Sequence, residues 1–207
     1  MRLKDWIVTG LQYAGAVILG SAIYGVLMGT SETEDFLTMT AIYMLLFGAG
    51  MGMVFNMSVY KVGLPAAIGF GSTRKEAFIG MQCYRLIFMV VLLGAAALLY
   101  LLSGKEAMAE LRVFAPIGIS LMLVLNAMGA VMGMISTRFG KTAVVILSVI
   151  AGLIISAVIA ATIILLTLCG DTLGGSSLAI FPAVGLVVYA LIAIPEYKTI
   201  YKYNVKL

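Results

Sequence analysis

The chain has no histidine, two cysteines and four prolines in 207 residues, and only 11% of it is charged. Without histidine, and with its acids scattered, it offers no cluster at metal-ligand spacing, so no metal site is expected. Paired acids and His-containing constellations are also missing from the uncharged stretches. That excludes intramembrane proteolysis and leaves no catalytic residue to name. Cys83 and Cys169 are expected on opposite sides of a membrane and so cannot staple the fold. Gly140-Lys141-Thr142 resembles the end of a phosphate-binding loop, but Ile135 stands where the first glycine belongs and no strand precedes it. Nucleotide binding by this chain is therefore excluded.

The charge that is present falls between long uncharged runs: 6–31, 36–60, 86–104, 113–137, 142–170 and 172–195. The shortest, as a helix, spans ~28 Å, close to the hydrocarbon thickness of a bilayer. Ionised side chains are costly in lipid, and the runs keep them out. With a hydrophobic fraction of 63%, the chain reads as an all-α polytopic membrane protein, one transmembrane domain over 1–207. The expected spans are about 6–28, 36–60, 86–102, 114–136, 143–168 and 178–194. The first run is too long for a cleavable signal and lacks a small-residue cleavage site.

Six spans place both termini on one side, with the loops near 61–85 and 138–141. That side would hold Arg2, Lys4, Lys61, Arg74, Lys75, Arg85, Arg138, Lys141, Lys198, Lys202 and Lys206, against Lys105 and Arg112 on the other. The asymmetry puts both termini in the cytoplasm. The net charge of +4 is then a topology signal, and a nucleic-acid partner is not expected. Trp6 is expected at the inner interface, Pro116 in the first turn of the fourth helix, and Gly63-Leu64-Pro65 and Pro195 as helix stops.

Within the spans, Gln12, Asn56 and Asn126 are the main strongly polar residues, and none is ionisable. Interhelical hydrogen bonding is their simplest role, worth about 1 kcal/mol each. Lining of a pathway by Asn56, Asn126, Met53 and Met132 is the sharper one. An ion-coupled carrier is disfavoured, because a coupling ion needs an intramembrane charge. Glycines at 25 and 29, 48 and 52, and 129 and 133 provide small faces for close helix approach.

Between the second and third runs lies Gly69-Phe-Gly-Ser-Thr-Arg-Lys-Glu-Ala-Phe-Ile-Gly-Met-Gln-Cys-Tyr-Arg85. Thr73 precedes Glu76 at capping-box spacing, which predicts a helix start. Ala77, Met81 and Tyr84 share a face, with Arg74, Lys75 and Phe78 directed elsewhere. A short surface helix of this kind suits docking to a partner or anchoring to lipid headgroups.

The run Gly71-Ser72-Thr73-Arg74-Lys75-Glu76-Ala77-Phe78 resembles the coupling-helix loop of type-2 ATP-binding-cassette (ABC) transporter permeases, particularly small bacterial ones. That family also has six helices with both termini inside. The family commonly carries an amphipathic helix before the first span, whereas here Met1–Trp6 precede it. It also tends to have a re-entrant helical pair before the last span, for which Cys169–Ser177 is short.

The resemblance implies a short cytoplasmic coupling helix between helices 2 and 3, with Ser72, Thr73, Arg74, Lys75, Glu76 and Phe78 meeting a separate ATPase subunit. ATP and Mg would be bound there and not in this chain. A second permease copy or related permease would complete an exporter in the bacterial cytoplasmic membrane. A Met-, Leu-, Ala-, Gly- and Asn-rich lining suits a lipid, an antimicrobial peptide or a hydrophobic drug. Alternative expectations are the substrate-capture subunit of a vitamin importer and a non-transporting membrane assembly protein.

Overall fold

The computed structural model describes residues 3–27, 33–104, 115–137 and 180–202, together with positions 146 and 149. Apart from the corner at 70–73 and positions 104 and 202, the described residues are helical, and they include no strand. The elements are α1 (Leu3–Leu27), α2 (Thr33–Ser58), a widened π turn (Val59–Gly63), α3 (Leu64–Gly69), α4 (Arg74–Ser103), α5 (Ala115–Thr137) and α6 (Ile180–Tyr201). Among the described residues, five stretches are long and apolar enough to cross a membrane: α1, Phe36–Gly69, α4, α5 and α6. Their outward faces carry exposed apolar side chains such as Leu19, Val26, Val90, Leu98, Leu186 and Leu191. Broad apolar exposure of this kind is rare in soluble monomers and fits a multi-pass membrane protein. The expected span 143–168, apart from positions 146 and 149, and the outer loop 169–177 lie outside the described residues.

Gly63-Leu64-Pro65 does not stop the second helix. The Leu64 N–H donates to the Val59 carbonyl, the long bond of a π turn, and the backbone at Gly63 stays helical. The wider turn makes room for the Pro65 ring, which would otherwise press on the carbonyl one turn back. Pro195 likewise sits inside α6 instead of ending it. Nor does the third helix begin near 86. Nothing between Arg74 and Ser103 interrupts it, so the expected separate coupling helix is the opening of α4 itself.

α1, α2 and α4 pack on one another. The buried stripe of α1 is mostly small, Gly10, Ala14, Val17, Ser21 and Gly25 after Trp6, and this permits close approach. Trp6 is buried between the helices. A Cβ on Gly80 would collide with its ring, so the missing side chain is the slot that receives it. Its N–H finds no acceptor among the described residues, and shape accounts for its position. α5 rests on α2 through the expected glycines: a Cβ on Gly129 would lie 2.5 Å from the Met53 carbonyl, and one on Gly133 would overlap the Tyr60 ring.

Contacts set the directions. Phe78 near the start of α4 meets Tyr197 near the end of α6, and Gly133 near the end of α5 meets Tyr60. Gly185 of α6 lies against Ser120 of α5, so these two helices run parallel. One end of the bundle therefore gathers the exposed Lys4, Lys61, Arg74, Lys75, Lys198 and Lys202.

Gly129→Ala forces backbone apart and should cost about 1–3 kcal/mol. Gly94→Ala, where a Cβ meets nothing within 4 Å, should stay within ~0.5 kcal/mol of the parent. Thermal unfolding in mild detergent, followed by fluorescence of the sole tryptophan, Trp6, measures both.

Candidate functional site

Two features stand out, a layer of polar side chains inside the bundle and a capped corner at its basic end. The polar layer separates two apolar clusters. On one side lie Met44, Phe88, Leu92, Met122 and their neighbours, and on the other Trp6, Tyr60, Leu64, Met81, Tyr84 and Ile200. At the boundary, α2 contributes Asn56, α4 Gln82 and Arg85, α5 Asn126 and α6 Tyr189 and Glu196.

Arg85 and Glu196 form a forked ion pair, Nη1 to Oε2 at 2.8 Å and Nη2 to Oε1 at 2.6 Å, each residue 1% exposed. This corrects the reading of the interior as free of ionisable groups. Both residues flank uncharged runs, but the helices continue past the run ends and carry them inside. Tyr60 donates its O–H to Glu196 Oε1, and Gln82 donates from Nε2 to Oε2. With the two guanidinium bonds, the carboxylate accepts four hydrogen bonds, its full capacity.

On the other side, Arg85 donates from Nε to Asn56 Oδ1 at 2.6 Å. Asn56 Nδ2 donates to Asn126 Oδ1 at 2.6 Å, and Asn126 Nδ2 to the Met122 carbonyl at 2.7 Å. Arg85 therefore donates both ways, directly to Glu196 of α6 and, through Asn56 and Asn126, toward the Met122 carbonyl of α5. Asn126 stands midway along α5, ~16 Å from either end, so the chain of bonds reaches the middle of the bundle. Asn56 and Asn126 do bond between helices, as expected, but as extensions of a charged pair. Both are fully buried, Met132 is buried and Met53 half-buried.

The corner is built from two consecutive end motifs. At the end of α3, Gly71 N–H donates to the Ile68 carbonyl and Ser72 N–H to the Ala67 carbonyl, each at 3.0 Å. This is a Schellman closure, and it places Gly71 at φ +84°, where a side chain would be strained. Thr73 then caps α4. Its Oγ1 accepts from the Glu76 N–H, and its own N–H donates to Glu76 Oε2. The predicted capping box is present, and Ala77, Met81 and Tyr84 are all buried on one face.

Thr73, Arg74, Lys75 and Glu76 are exposed and Ser72 half-exposed. Phe78, expected to project toward a partner, is half-buried with its ring edge-on to Tyr197 at 5.2 Å. Phe70 is the exposed ring of the corner, at 81% exposure. The exposure of Phe70 follows from the Schellman turn, a geometry that only the Gly71 position hints at in sequence. Arg85, Glu196, Gln82, Tyr60 and Tyr189 escaped the sequence reading. The unbroken helical phase of Ala77, Met81, Tyr84 and Phe88 was the signal that Arg85 belongs inside a helix.

Comparison with protein-family models, curated proteins and solved structures finds no match for this chain.

Arg85→Met strands a buried carboxylate and should cost about 3–5 kcal/mol. The double replacement Arg85→Met with Glu196→Leu removes both charges and should recover more than half of that loss. Thermal unfolding of the parent and the two variants in detergent decides it. Equal losses in the two variants would mean that the stranded charge is not what destabilises Arg85→Met.

Proposed function

We propose that this chain is the membrane-spanning permease subunit of an ABC exporter, driven by a separate ATPase subunit that docks on the corner at residues 70–76. The observation that carries this reading is the corner itself. Both flanking helix ends close their own hydrogen bonds there, and the corner leads without a break into α4. A push on a rigid corner is delivered along α4 to Gln82 and Arg85, and through Glu196 to α6. Exposed Arg74 and Lys75 supply charge, and Phe70 takes the place first given to Phe78 as the apolar anchor.

The buried charges do not redirect the reading toward an ion-coupled carrier. Protein donors occupy the whole carboxylate of Glu196, so it offers nothing to a coupling ion. In this proposal the chain sits in a bacterial cytoplasmic membrane with both termini inside, beside a second copy or a related permease. ATP and Mg bind in the ATPase. The cargo is amphipathic or apolar, and it passes between the two permeases.

Gentle extraction of the tagged protein from its native membrane, with mass spectrometry of what co-purifies, should yield a stoichiometric ATPase. Arg74→Glu and Phe70→Ala should each lower its recovery at least about tenfold, or ~1.4 kcal/mol of docking, and abolish export. Trp6 fluorescence should show unchanged unfolding. Full recovery of the ATPase with both variants would overturn the docking assignment.

A further inference from the structure

The polar layer grips α6 unequally on the two sides of Pro195. That residue lacks an N–H, so the Leu191 carbonyl loses its helical donor and the ring crowds it, making a natural pivot. After the proline, the helix is held hard. Glu196 takes its four hydrogen bonds, two of them from a guanidinium, Tyr197 stacks edge-on to Phe78, and Ile200 is buried. Before it, the polar tether among the described residues is Tyr189, whose O–H donates to Gln82 Oε1 at 2.5 Å and whose oxygen faces the Arg85 guanidinium.

Gln82 is thus bonded on both sides of the pivot. Its Nε2 serves Glu196 and its Oε1 serves Tyr189. Gly185, Tyr189, Ile192, Glu196 and Ile200 recur at helical spacing on the gripped face, so a bend at Pro195 lifts the first members and leaves the last ones seated. The polar tether before the pivot is a single phenol group, whereas Glu196 after it is held by four hydrogen bonds, two of them from the guanidinium. The Tyr189 side is therefore the first to open.

We propose that Pro195 is a hinge in α6, kept closed by Gln82, which straps Tyr189 before the proline to Glu196 after it. The arm Ile180–Ile194 then swings as a unit while the turn after Pro195 stays locked to α4. The device does not depend on which partner or cargo the protein has.

The test uses the full chain in phospholipid nanodiscs, with Cys83→Ser and Cys169→Ser, and pulsed electron-spin distances between two label pairs. Leu186→Cys with Leu98→Cys reports the arm, both sites being exposed. Tyr201→Cys with Lys75→Cys reports the locked end. A bend of ~20° over the ~13 Å from Pro195 to Leu186 moves that label by ~5 Å. Tyr189→Phe should add a second arm distance displaced by about that much while the locked-end distance stays single. Adding Pro195→Ala should remove the second distance.

A single arm distance in Tyr189→Phe would overturn the hinge, as would persistence of two distances with Pro195→Ala. A change in both label pairs would mean that α6 detaches whole, and would overturn it too. Should Tyr189→Phe fail to fold, Pro195→Ala alone should narrow the parent arm distribution, and an unchanged width would count against the hinge.

Discussion

The buried pairing of Arg85 with Glu196 is the constraint around which the rest of the bundle is arranged. Two charges in apolar surroundings are tolerated only if each is matched and hydrogen-bonded, and removing one is far costlier than never having placed either. Meeting that demand takes donors and acceptors from α2, α4 and α6, with Asn126 of α5 completing the chain. The glycines serve the same end. Gly129 and Gly133 bring α5 against Met53 and Tyr60, close enough for Asn126 to reach Asn56, and Gly52 leaves room for the Asn126 amide.

Interhelical hydrogen bonds between neutral groups contribute about 1 kcal/mol or less on average, and lipid supplies little hydrophobic drive between helices. A saturated ion pair therefore does what shape cannot. It selects one register for α6, whose outward face is a row of interchangeable apolar residues. The apolar clusters on either side shield the pair, and their own packing would permit neighbouring arrangements more readily than the polar layer does.

The polar layer also links the interior to the basic end. α4 is one rod from its capped start to Ser103, so the surface corner and the ion pair share a rigid element. Under the permease reading, that rod carries force from an ATPase inward. Apart from that reading, it means that Phe78, Gln82 and Arg85 hold the last turn of α6 and the start of α4 as one body.

Long uncharged runs, the capping box of Thr73 and Glu76, the buried face of Ala77, Met81 and Tyr84, and the glycine contacts at 129 and 133 were legible in the sequence. Each depends on local periodicity or on residue size, which composition and spacing encode directly. Helix ends were not, because counting uncharged residues equates the limit of a helix with the nearest charge, and Pro65 and Pro195 read as stops. By itself the sequence determined a helical membrane protein with a basic side and a capped helix start at Thr73. Only the tertiary structure decided that Arg85 and Glu196, 111 positions apart, lie inside as a pair. A charge at the edge of an apolar run carries no local sign of its partner, and whether it faces water or protein is settled by which helix packs beside it.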